Sequence, residues 1–175
     1  MYQILLSIGS NINPEKNIVF CIQELKKILK SPIHMSSVYQ TPPIGYDHQD
    51  YFYNLILHAG TVLSLWDLKD QLNQIEHQTG RIASVNRYGP RTLDIDLLDF
   101  DGLVLNQQGI QLPHEQLRGM PFVLVPLVEI FPLGLYPGTH ETYRELLNKI
   151  STHSYSNFKK LDQFTQHLQN ILNDK

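Results

Sequence analysis

Cysteine is almost missing from this 175-residue chain: Cys21 is the single one. No disulfide can form within the chain, and a reducing compartment is its natural setting. Cys21 stands among Ile18, Phe20, Ile22 and Leu25, which marks a small buried apolar residue rather than a nucleophile. Basic runs are missing too. No Lys/Arg run exceeds the pair Lys26-Lys27 and the net charge is −3, so there is no electrostatic footprint for duplex nucleic acid. The N-terminal MYQILLSIGSN has no basic n-region, and its apolar run is too short for a signal peptide. The most apolar later stretch, Pro121–Tyr136, is interrupted by Pro126, Glu129 and Pro132, so it cannot cross a bilayer. No GxxxxGK[ST] string occurs, which excludes a P-loop enzyme. These absences point to a soluble, cytoplasmic protein without a membrane or nucleic-acid partner. The length fits one domain, which buries roughly 70% of its unfolded surface.

Hydrophobic periodicity supplies the elements. Tyr2–Gly9 reads as a strand. Asn13-Pro14-Glu15 gives an N-cap, a first-turn proline and an acid, and apolar residues follow at 18, 22, 25 and 29 in a helix that stops before Pro32. Ile33–Gln40 and Tyr51–Leu63 read as strands joined by a loop holding Pro42, Pro43 and Gly45. Ser64-Leu-Trp-Asp67 is a capping-box pattern before a helix with Leu65, Leu68, Leu72 and Ile75 on one face, ended by Gly80. Thr92–Phe100 is a strand, and Asp101-Gly102 signals a hairpin into Leu103–Leu105. A short apolar helix begins near Phe122, and Thr142-Tyr-Arg-Glu145 caps another. The first six elements run β-α-β-β-α-β. That order predicts an α+β fold with a ferredoxin-like antiparallel sheet and helices packed on it. Residues 1–150 form this domain. In residues 151–175, Phe158, Leu161, Phe164, Leu168 and Ile171 recur at helical spacing. They mark a C-terminal amphipathic helical extension that packs back on the same domain, in a monomer, with a self-association surface as the alternative reading. Gly80–Pro90 follows neither period and is long for a connection, as expected of a lid.

Asp94 and Asp96 interrupt a run of Leu and Ile, although aspartate is depleted in strands. Alternation puts both on one face, roughly 6.6 Å apart, with Leu93, Ile95 and Leu97 facing a core and Leu98 and Phe100 sharing the aspartate face. A wet strand face would account for two acids, but not for Arg81, Arg87 and Arg91 in the same neighbourhood. Paired carboxylates suit magnesium that shares its shell with phosphates. Arginine forks suit phosphate oxygens. Together they argue phosphoryl-type transfer.

The segment RYGPRTLDIDLLDF at 87–100 resembles the signature of the 6-hydroxymethyl-7,8-dihydropterin pyrophosphokinase family of folate biosynthesis. The resemblance extends to IGSN at 8–11, YQTPPIG at 39–45, FYN at 52–54, IEHQTGR at 75–81, PH at 113–114 and FVLVPLVEI at 122–130. It implies transfer of pyrophosphate from ATP to the pterin hydroxymethyl group with release of AMP, and two Mg2+ ions held by Asp94 and Asp96. Asp94, Asp96, Arg81 and Arg91 would be the catalytic set. Arg81, Arg87, Arg91, His114 and Glu76 match nucleotide contacts, although a solvated helix-end carboxylate is an equal reading of Glu76. Phe52 and Phe122 match a stacking pair for the pterin ring and Asn54 an amide that reads its edge. Thr41, Pro43, Ile44 and Asp94 would complete that pocket, with Tyr88 on the lid.

The chain departs from the family pattern at Ala83, where a loop arginine is common, and at Tyr88, where tryptophan is. Met120 stands in an expected arginine position, with Arg118 two residues earlier. A nucleotide- and pterin-binding pseudoenzyme is therefore the alternative reading. An RNA-binding ferredoxin-like domain is disfavoured by the acidic balance and the missing RNP1 string.

Overall fold

The computed structural model describes residues 1–45, 48–80, 89–107 and 109–174. The central strand β1 (Tyr2–Ser10) turns Ile4, Leu6 and Ile8 to one face and Leu5, Ser7 and Gly9 to the other. It lies antiparallel between β4 (Phe52–Thr61) and β5 (Asp94–Phe100). Beyond β4 lie the short β2 (His34–Met35) and β3 (Tyr39–Thr41), and β8 (Lys159–Lys160) pairs with β3 at the far edge. The sheet order is β5-β1-β4-β3-β8, with β2 also on β4.

Both faces are covered. On one, α1 (Pro14–Ile28) contributes Ile18, Ile22 and Leu25, and α2 (Leu65–Gln78) contributes Leu68, Leu72 and Ile75. They close over Ile4, Leu6, Ile8, Leu55, Leu57, Ile95 and Leu97. On the other, α3 (Pro121–Ile130) and α4 (Tyr143–Asn148) pack Val123, Leu124, Leu127, Tyr143 and Leu146 on Leu5, Ile56 and Leu98. Each such buried aliphatic side chain stabilises by about 1.5–3 kcal/mol. The fold is mixed α/β, an antiparallel sheet with helices. Cys21 is fully buried, and burial pushes its thiol far above the ordinary range.

Several elements depart from the sequence reading for local physical reasons. The strand expected over 33–40 breaks at Ser36. Its hydroxyl accepts from Ile56 N while its own N–H donates to Ile56 O, both at 2.9 Å, and Val38 N and O turn instead to Thr165 Oγ1 and Leu161 N. Asn13 precedes α1 in the left-handed region, φ 46°, and caps nothing with its side chain. The hairpin turn is present, with φ 54° at Asp101, 73° at Gly102, and Leu103 N donating to Phe100 O. The chain then leaves the main sheet, and β6 (Leu105–Gln107) and β7 (Ile110–Leu112) pair with each other. Phe100 does not share the aspartate face. The β1/β5 register shifts between Leu5 and Leu6, so that Leu6 faces Leu97, Leu5 faces Asp99 and Leu98 is the extra residue. This bulge keeps Leu98 with α3 and α4 and returns Phe100 to the α1/α2 face.

The tail adds β8 and then α5 (Asp162–Asn173), which begins later than the spacing of Phe158 suggested. Leu168 is fully buried, with Leu161, Phe164, Ile171 and Leu172 against the same core. Lys26 donates to Ile171 O at 2.8 Å.

Replacing Leu168 by Ala should lower unfolding free energy by about 2–5 kcal/mol, the range for a buried leucine, read from urea denaturation. A change below that range would mean α5 is detachable. Asp99 offers a pH test. Burial is the main cause of a carboxyl pKa raised from 3.8 to about 6, despite N–H groups of Gly102 and Phe100 that favour the charge. The folded state then binds this proton more tightly than the unfolded chain, so the charge is harmless at pH 4 and destabilises as pH rises through 6. Asp99→Asn should raise the melting temperature at pH 8 and lose that advantage at pH 4. An equal gain at both would contradict the raised pKa.

Candidate active site

The aspartate face of β5 continues across the sheet as one row: Asp94 is opposite Gly9 on β1, and Gly9 is opposite Asn54 on β4. A Cβ on Gly9 would lie 2.8 Å from Asn54 Oδ1, so only glycine lets the amide lie across β1. Asn54 is buried and its Nδ2 donates to Thr41 Oγ1 at 2.8 Å. One row further, Asp96 is opposite Ser7.

These residues floor a cleft of about 300 Å³, at the lower end of small-molecule sites. Asp94, Asp96, Arg91 and His114 line one end. Thr41, Ile44, Phe52, Asn54 and Phe122 line the other. Phe122 arrives at the first turn of α3, and Thr41 and Phe52 are register partners across β3 and β4. Pro42 and Ile44 line the wall; Pro43, named from the sequence, does not. Arg81, Arg87, Tyr88 and Ala83 lie outside the described residues, as does most of the expected lid.

Local bonds hold the acidic end. His114 N donates to Leu98 O at 2.9 Å, and its Nδ1 accepts from Gln116 N at 3.4 Å. With Nδ1 accepting, the ring proton belongs on Nε2, which stands 3.9 Å from Asp96 Oδ1. Gln116 Nε2 donates to Asp96 Oδ2 at 3.0 Å. Asn11 clamps the Arg91 backbone from both sides: its Oδ1 accepts from Arg91 N at 2.7 Å and its N–H donates to Arg91 O at 3.0 Å. Asn11 Nδ2 then reaches Gln49 Oε1 and Asp50 O on the opposite rim.

Glu76 does not line the cleft. It is buried under β5, and its Oε1 accepts from Ile95 N at 2.7 Å, pairing an outer-edge amide of the strand. Met120 lines the cleft, whereas Arg118 lies with its Cζ 5.6 Å from the Tyr136 ring centroid and takes no part in the lining. Asn11, Gln49 and Gln116 were not singled out from the sequence. Asn11 was within reach, since IGSN flagged its position, but nothing in a lone glutamine foretells its partner.

No group of three or more His, Cys, Asp or Glu side chains converges as a metal cage among the described residues. Two carboxylates alone fit a hard cation that retains waters and completes its shell with phosphate oxygens. They do not fit a closed structural zinc site. Nor is any described helix long and apolar enough to cross a membrane.

Comparison with known proteins agrees with this arrangement. The profile of the 7,8-dihydro-6-hydroxymethylpterin-pyrophosphokinase (HPPK) family matches residues 5–132. A 2-amino-4-hydroxy-6-hydroxymethyldihydropteridine pyrophosphokinase of Methylorubrum extorquens is 34% identical over 154 residues, 86% of this chain and 94% of that protein. The protein of the same name from Haemophilus influenzae is 28% identical over 155 residues, 87% of this chain and 96% of its own. The folic acid synthesis protein FOL1 of Dictyostelium discoideum is 34% identical over 142 residues; these are 79% of this chain but only 21% of that much longer protein. Among solved structures, an HPPK-DHPS triple mutant of Plasmodium falciparum superposes with a TM-score of 0.73 at 14% identity, over 91% of this chain and 46% of that one, a likeness of fold. The profile match and the full-length bacterial relatives place this chain in the HPPK family.

Proposed function

We propose that the cleft binds ATP and 6-hydroxymethyl-7,8-dihydropterin and transfers pyrophosphate from one to the other, yielding the pterin diphosphate and AMP for folate biosynthesis in the cytoplasm. The observation that carries this reading is the convergence of Asp94 and Asp96 with Asn54, Phe52 and Phe122 on one wall-to-wall cleft. A flat ring with polar edges wants aromatic faces and an amide at its rim, and Asn54 is held for that by Thr41. In the transfer, the bond from the hydroxymethyl oxygen to the β-phosphorus forms as the bond from β-phosphorus to the α-phosphate oxygen breaks.

Asp94 and Asp96 are the residues that would hold the two Mg2+ ions. Bound there, the ions would supply charge neutralisation for the triphosphate and its transition state. Arg91, its backbone clamped by Asn11, lines the same end of the cleft, where its guanidinium would meet phosphate oxygens. His114 would donate its Nε2 proton to the nucleotide or to Asp96. Arg81 and Arg87 complete the nucleotide side and Tyr88 the lid, on the family pattern. Thr41 and Ile44 form the remaining pterin wall, and Pro43, which does not line it, would act only by setting the backbone between them. Glu76 serves the nucleotide end indirectly, by pinning Ile95 between the two aspartates.

The antiparallel order β5-β1-β4-β3 and the β-α-β-β-α-β succession support a ferredoxin-like unit over residues 1–150. Residues 151–175 then act as a brace on the same domain, which works as a monomer.

The deciding assay supplies ATP, Mg2+ and the hydroxymethyl-dihydropterin and resolves the products. AMP is expected. ADP would indicate an ordinary kinase, and neither product would indicate a binding pseudoenzyme, for which Met120 in the cleft is the supporting observation. Asp96→Ala should reduce AMP formation by on the order of a thousandfold while circular dichroism stays native, because metal charge leaves the transition state. A variant retaining a tenth of the wild-type rate at saturating Mg2+ would remove Asp96 from the metal site.

A further inference from the structure

Gln116 lies in a short 3-10 turn, Glu115–Arg118, that follows His114 and lines the cleft. The turn is fixed to β5 itself: His114 N donates to Leu98 O, two residues beyond Asp96, and Leu117 is fully buried beneath. Gln116 Nε2 donates to Asp96 Oδ2 at 3.0 Å. A carboxylate only accepts, so this bond decides which way the amide faces. The amide carbonyl must then point elsewhere, and Oε1 is buried without a hydrogen-bond partner among the described residues.

Buried acceptors are paired in the great majority of cases, and an unpaired one is destabilising. An amide kept in that state is poorly explained as a contribution to folding. What it secures is the orientation of Asp96. One carboxylate oxygen is engaged by the amide, and the other, Oδ1, faces His114 Nε2 at 3.9 Å and is open to a further partner. The neutrality of the donor matters as well. A lysine or arginine would hold the carboxylate at least as firmly but would repel a cation, whereas an amide orients the oxygens and leaves their charge intact.

We propose that Gln116 is a positioning residue for the metal-binding carboxylate: by donating to Oδ2 it holds Asp96 with Oδ1 available to a divalent cation, at the expense of its own unpaired carbonyl. This rests on the reading of Asp96 as a metal ligand given above. Hydrogen bonds to metal-ligating groups of this kind carry a 10–100-fold effect on metal affinity, to order of magnitude.

The test is Gln116→Leu, read by Mn2+ binding in electron paramagnetic resonance with a nonhydrolysable ATP analogue, beside thermal melting of the ligand-free protein. Mn2+ affinity should fall about tenfold. The ligand-free variant should melt at or above the wild-type temperature, because the orphaned carbonyl has gone. Steady-state kinetics should show a raised Mg2+ requirement with the pterin KM within about twofold of wild type, the pattern of lost metal rather than lost substrate binding. Gln116→Arg, which keeps a donor but adds charge, should bind Mn2+ more weakly still. A lowered melting temperature or an unfolded variant would assign Gln116 to the fold and overturn the proposal, as would unchanged Mn2+ affinity in either variant. If wild-type protein takes up no Mn2+ beside the nucleotide, the metal reading of Asp96 has failed, and this proposal fails with it.

Discussion

The constraint on which the rest of the molecule depends is the register of β5, an edge strand that must point two carboxylates at a cleft and two aliphatic side chains, Ile95 and Leu97, at the opposite core. A slip of one residue would exchange those faces and bury both charges. Among the described residues the strand has a paired neighbour on one side only, β1, so other contacts secure it. Glu76 reaches from α2 to the Ile95 amide, and His114 N takes the carbonyl of Leu98. The bulge at Leu98 then limits the aspartate face to its first half, returning Phe100 to the helix-covered core.

Much of this was legible in the residues. Ile18, Ile22 and Leu25 in α1, and Leu65, Leu68, Leu72 and Ile75 in α2, are buried where their spacing puts them, because a 3.6-residue period on a half-covered helix leaves few alternatives. Asp94 and Asp96 share a face for the equally simple reason of period two. What was hidden depends on partners far away in sequence. The break at Ser36 requires Ile56 and Thr165; the departure of β6 from the sheet requires β7; the bulge requires Leu5. Local pattern carries no record of such pairings. Pro43 and Glu76 show the same limit, since neither lines the cleft and the Glu76 carboxylate turns instead to the Ile95 amide.

Among the described residues, two buried side-chain oxygens lack a hydrogen-bond partner and mark where stability and placement conflict. Gln116 Oε1 lies behind the Asp96 carboxylate, and Asp99 Oδ1 lies just past the bulge. Asp99 is raised mainly by burial, and its charge in turn adds to the burial that pushes the Tyr143 phenol well up. The first belongs to an amide whose nitrogen donates to Asp96 in the cleft. The second does not line the cleft, and nothing in the structure explains its presence.

The far wall of the cleft is built from parts that share no sequence locality, and one carboxylate joins them. Glu129 of α3 accepts from Ser37 N and Oγ at 3.2 and 2.7 Å, from Tyr39 OH at 3.1 Å, and from Lys160 Nζ at 3.1 Å. Burial alone would raise this carboxyl, but the bonds from Ser37, Lys160 and Tyr39 outweigh it and hold the carboxyl below its ordinary value. The bonds therefore favour the charge enough to offset its desolvation, which distinguishes this cluster from an exposed ion pair of little consequence. Its geometry gives it reach. Glu129 sits on the helix whose first turn carries Phe122, Tyr39 begins the strand that ends at Thr41, and Lys160 belongs to the tail strand paired with that same strand. Phe122 and Thr41, two walls of the ring-sized pocket, are thus bolted to each other through a group outside the cleft. The tail acts on the site through β3 rather than by touching it. Its removal would loosen the spacing of Phe122 and Thr41 before it disturbed Asp94 or Asp96, which belong to the opposite edge of the sheet.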